Sequence, residues 1–153
     1  MTHSNISQEV SFVANKQHLA LLKQGIAIWN DWRQKNPKIQ PDLTQANFEG
    51  ENLDGANLND ADLTAANLQG AYLTRSSLER ANLENADLEG AYLVETNFKQ
   101  ANLTGANLTG VFLEEANFES ANLEAATLEE LILRQGRPRP DSEYYQGNKN
   151  ARH

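Results

Sequence analysis

The residues of this chain that could do chemistry are few and poorly arranged for it. Glu114-Glu115 and Glu129-Glu130 set carboxylates side by side, the raw material of general acid–base catalysis. These pairs are expected on a solvated surface away from any pocket. His3, His18 and His153 are scattered, there is no cysteine, and no serine stands in a nucleophile-elbow sequence. The abundant Asn and Asp invite a calcium reading. They lack the Gly-Gly-x-Gly-x-Asp arrangement of calcium-binding β-helices and the EF-hand loop pattern. The glycines recur at intervals instead of clustering, so no phosphate-binding loop is present. The expectation is a protein that is not an enzyme and holds no cofactor and no metal.

The elements that would position these residues are set by a spacing. Every fifth residue from Leu43 to Leu133 is Leu or Phe, nineteen positions without exception. The inner rungs are Phe48, Leu53, Leu58, Leu63, Leu68, Leu73, Leu78, Leu83, Leu88, Leu93, Phe98, Leu103, Leu108, Leu113, Phe118, Leu123 and Leu128. On an α-helix a step of five rotates about 140°, so the leucines would cover every face. In a strand an odd step throws alternate residues to opposite faces. The chain must therefore turn once per five residues, which is the signature of a solenoid. A narrow coil holds one large side chain per side only where its neighbour is small, and alanine recurs two residues before the Leu or Phe. Asn or Asp between them can stabilise the turn by bonding to nearby backbone.

A second period distinguishes the sides. Gly50, Gly70, Gly90 and Gly110 are twenty apart, as are Tyr72, Tyr92, Phe112 and Ile132. Twenty residues therefore make one coil. The Tyr72, Tyr92, Phe112 and Ile132 ladder occupies the place where other sides carry Asn, Asp, Ser or Thr. It is expected to face outward, with Val94, Val111 and Leu131 widening it. An exposed apolar strip marks a contact, and the glycine ladder beside it would leave a flat, approachable backbone track. The alternatives are that the aromatics stabilise one another, or that the N-terminal helix or C-terminal tail covers them. Charged side chains twenty apart, Asp60 with Arg80, Arg75 with Glu95, and Glu79 with Lys99 and Glu119, are expected to pin the register.

Units such as Ala46-Asn47-Phe48, Ala61-Asp62-Leu63, Ala81-Asn82-Leu83 and Ala121-Asn122-Leu123 resemble those of the pentapeptide-repeat family, over about two thirds of the chain. The resemblance implies an all-β solenoid, a right-handed quadrilateral β-helix of about five coils, with the Leu/Phe and the small residue pointing inward. The leader is similar to the helical cap of short cyanobacterial members. By resemblance the function is that of a protein-protein interaction scaffold or regulator, or of a DNA mimic that binds DNA gyrase, or of a regulator of cyanobacterial cell differentiation through signalling-protein contacts.

Three segments follow. Residues 1–40 carry a net charge of +3 and are expected to cap the solenoid, with one amphipathic helix from 16 to about 35 that presents Leu22, Ile26, Trp29 and Trp32 to the first coil. Gly25, inside that arc, would permit close approach, and His18 on the same arc is expected to be packed there. Residues 41–136 form the repeat, at −13, and residues 137–153 a disordered tail, at +2. The far end is covered by the tail, through Tyr144 and Tyr145, or by a second rod in an end-to-end homodimer. An acidic rod repels nucleic acid and attracts a basic protein partner. No apolar stretch nears the length of a membrane span and no secretory signal is evident, so the expected location is cytoplasmic.

Overall fold

The computed structural model describes residues 13–132. It opens with two helices, α1 over Lys16–Lys23 and α2 over Ile26–Lys35, where the sequence pattern predicts one. Asn15 starts α1, its side chain accepting from the N–H groups of Gln17 and His18 at 2.8 and 3.1 Å. The break falls at Gly25, whose φ of 127° no helix accommodates. A Cβ at Gly25 would meet nothing within 4 Å, so the glycine is there for its backbone angle and not for the close approach expected of it.

From Asp42 onward the chain repeats one local motif. Ala46 N–H donates to Leu43 O at 3.1 Å, closing a four-residue turn, and the same bond recurs from unit to unit. The third residue of each turn is left-handed, at every fifth position from Gln45 to Glu130, as in type II turns. The Asn or Asp of each unit accepts from the N–H two residues on, as Asn47 does from Glu49 at 3.1 Å and Asn82 from Glu84 at 3.0 Å. This bond holds the corner shut locally.

Coils are joined by parallel bridges, every one between residues twenty apart, from Asp42 with Asp62 to Phe112 with Ile132. Each bridge is a single residue per side. The five-residue turn leaves no room for a longer strand among the described residues. Asn side chains add a second thread, with Asn67, Asn102 and Asn107 donating to Asn47, Asn82 and Asp87 at 3.2 Å.

The core is the stack of Leu and Phe rungs with the alanines two residues earlier; from Leu58 to Leu108 every rung is fully buried. Ser76 and Thr96 stand where alanine is usual. They are tolerated because each hydroxyl donates to Leu73 O at 2.7 Å.

Helix α2 closes the first coil by imitating a missing one. One coil further on, Ser77 O and Glu79 O accept from Leu58 and Asp60 N–H, and Ser77 N–H donates to Ala56 O. The equivalent groups of the first coil have no coil beneath them. Trp29 Nε1 donates to Asn57 O at 2.7 Å, Arg33 Nη2 to Asn59 O at 2.8 Å, and Asn30 Oδ1 accepts from Asn57 N–H at 2.8 Å. Leu22 and Trp29 are buried against the core, with Ile26 and Trp32 half-buried beside them. Arg33 is itself buried, and desolvation lowers its pKa against the opposing pull of Asp60.

At the other end no described residue covers the rungs. Leu113, Phe118 and Leu123 are half-buried and Leu128 is 44% exposed, unlike the buried rungs that the spacing predicts for all four. None of them has a following coil among the described residues. Leu133 and the 137–153 segment lie outside the described residues.

Candidate interaction surface

Tyr72, Tyr92, Phe112 and Ile132 replace the Asn or Asp of their units, so each removes the acceptor that normally holds its corner. At Tyr72 the loss is made good from the previous coil, where Asp54 Oδ1 accepts Thr74 N–H at 2.8 Å. The same device operates at Ser77, where Asn59 Oδ1 accepts Glu79 N–H at 2.9 Å. Sequence reasoning passed over Asp54 and Asn59. The available signal was that each stands twenty residues before the N–H left without its usual partner.

The aromatic rings lie one coil apart and stack. Tyr72 on Tyr92 has centroids 4.5 Å apart at 5°, and Tyr92 on Phe112 has 4.8 Å at 9°. With Val94 they form a cluster separate from the main core. The strip thus lies outside the core, but it is not the open ladder that the sequence suggested. Tyr92 and Phe112 are 7% exposed and Val94 3%, while Tyr72 and Ile132 are half-buried. Rings stacked at the coil spacing shield one another's faces.

What is open is the groove beside the strip. It has a volume of about 450 Å³ and is lined by Gly90, Tyr92, Gly110, Phe112, Glu130, Leu131 and Ile132. Its floor is low because Gly90 and Gly110, with no side chain, occupy the left-handed corner at φ of 69° and 68°, a conformation that glycine adopts without strain. Leu131, 37% exposed, forms one rim.

On the other faces the basic side chains of the described rod, Arg75, Arg80 and Lys99, each lie beside a carboxylate. Arg80 Nε and Nη2 reach Asp60 at 2.9 and 3.2 Å, and Arg75 Nε reaches Glu95 at 2.8 Å; hydrogen bonding and charge raise both guanidinium pKa values. Glu79 pairs with Arg80 at 2.9 Å rather than with Lys99, because the forked guanidinium reaches it from the next residue. Lys99 approaches Glu119 only to 4.0 Å. His18 Nδ1 accepts Asp42 N–H at 2.9 Å and its ring lies 5.0 Å from Trp32, which ties the helices to the first coil. Among the described residues no group of three or more His, Asp or Glu could hold a metal ion, and no helix is long and apolar enough to cross a membrane.

A stack of five-residue corners with a shallow side groove is the architecture of a repeat solenoid. The pentapeptide repeats family matches in eight copies, over residues 42–80, 81–119 and 96–135, and the chain belongs to that family. Its members are typically non-catalytic. Among solved structures, a pentapeptide repeat protein from the cyanobacterium Cyanothece 51142 is 36% identical, with 63% of this chain and 67% of that one covered and a TM-score of 0.41. One from the Arabidopsis thaliana thylakoid lumen is 32% identical, with 61% and 69% covered and a TM-score of 0.39. A third, from Nostoc PCC 7120, is 24% identical, with 71% and 95% covered and a TM-score of 0.49. A comparison with curated protein sequences gives no match.

Proposed function

We propose that this protein is a non-enzymatic interaction scaffold, a right-handed, four-sided rod that presents one side to another protein. The observation that carries the reading is the groove between the stacked aromatics and the glycine corners, rimmed by exposed Leu131. A shallow groove with apolar rings on one side and backbone and a carboxylate on the other, held on a rigid support, suits docking of a peptide or loop. The ion pairs of Arg75 and Arg80 interrupt the acidic rod, which weighs against a DNA mimic directed at gyrase. A cytoplasmic location belongs to the same proposal and is checked by cell fractionation.

The test is affinity capture with the wild type and with Leu131→Lys, whose side chain leaves the core untouched. Replacing Tyr72, Tyr92 and Phe112 would break the stack and confound folding with binding. Loss of partners by a Leu131→Lys protein of unchanged circular dichroism supports the groove as the docking surface. Retention of all of them overturns it.

A further inference from the structure

We propose that the groove is occupied by the protein's own C-terminal segment, residues 134–145, which lies outside the described residues and competes with any external partner for the same face. The proposal rests on the reading of the groove as a docking surface. Four observations converge on this occupant. The described chain ends at Ile132, and Glu130, Leu131 and Ile132 themselves line the groove, so the segment that follows starts at its mouth. Gly136 lies four residues on and offers a place to reverse direction.

Charge is complementary. Glu89, Glu129 and Glu130 are exposed on this side and make no ion pair among the described residues. The segment begins Arg134-Gln135-Gly136-Arg137-Pro138-Arg139-Pro140.

Backbone form fits as well. Alternating prolines favour polyproline II, which docks in aromatic-lined grooves at low entropic cost. Its repeat of about 9.3 Å matches two coil spacings of about 4.8 Å. Reach is sufficient: nine residues, 137–145, span about 28 Å at about 3.1 Å each, whereas three coils from Gly110 back to Gly50 span about 14 Å. Tyr144 and Tyr145 then come within range of the strip.

The absence of cysteine allows a clean test in the full chain. A spin label on Ser142→Cys should broaden the amide signals of Gly90 and Gly110 and leave those of the opposite faces sharp. Adding Arg137→Glu and Arg139→Glu should reduce that broadening at least threefold and increase capture of any partner that Leu131→Lys loses. Broadening spread evenly over all faces, or confined to the residues next to Ile132, overturns the proposal. Broadening that passes from labelled chains to isotope-labelled, spin-free chains in a mixed sample also overturns it, in favour of docking between two copies. If the segment fails to dock while Leu131→Lys still loses partners, the docking surface stands and only its internal occupant falls.

Discussion

At the left-handed corner of each unit the backbone asks for glycine, yet twelve of these positions, among them Gln45, Ala65, Arg80 and Glu115, hold other residues at φ near +60°. The left-handed conformation costs an L-residue about 1–2 kcal/mol, so the turn and inter-coil bonds must impose it. Gly70→Val should therefore lose about 1–2 kcal/mol although nothing lies within 4 Å of the new Cβ; urea unfolding measures it, and an unchanged midpoint refutes the assignment of cost to the backbone. His18 is the second residue with a measurable consequence. Its Nδ1 must stay unprotonated to accept Asp42 N–H. Burial chiefly, with the charge of Arg33, lowers its pKa below the ordinary 6.5, while Asp42 opposes the shift. The unfolded chain then takes up the proton more readily. The stability is complete above about pH 6.5 and is lost as pH falls through the lower folded value. The melting temperature should fall between about pH 7 and pH 5, and His18→Gln should flatten that step.

The elements show how an end is made. Helix α2 offers its indole, guanidinium and amide where a coil would have offered peptide groups, so its contribution is as much polar as apolar. Trp29→Phe keeps most of the ring packing but leaves Asn57 O without its donor, at a cost of about 1–3 kcal/mol. Hydrogen exchange should accelerate first in the amides of the first coil and leave those around Leu88 protected; uniform acceleration would show that the cap has no local role. The helical pattern over residues 16–35 was legible because apolar residues recur at helical spacing. Its division at Gly25 was not, since a glycine inside such an arc reads equally as a tolerated weak point. Nor could periodicity show that Asn30, on the polar face, bonds to the first coil.

Across the whole molecule the core has a gradient. Interior rungs are sealed by a coil above and a coil below, whereas the last rungs have a neighbouring coil on one side only among the described residues. Leu88→Ala should cost about 2–5 kcal/mol, and Leu128→Ala well under about 1 kcal/mol. Thermal denaturation of the two variants compares them directly. Equal losses would mean that the far end is covered in solution. The acidic character of the rod is likewise a property of the whole, because its described basic side chains, Arg75, Arg80 and Lys99, each lie beside a carboxylate and are far outnumbered by carboxylates.

The sequence by itself determined the coil length, the inward rungs with their small neighbours, the aromatic and glycine ladders and the register pairs of Arg80 and Arg75. All are consequences of strict periods, and a period is visible without coordinates. Only the tertiary structure decided that the aromatic strip shields itself, that the opening lies beside it over the glycine corners, that Asp54 and Asn59 serve corners in the next coil, and that α2 stands in for a missing coil. These depend on which groups meet across coils and at a chain end, where the repeat stops and no neighbour in sequence says what takes the vacant place.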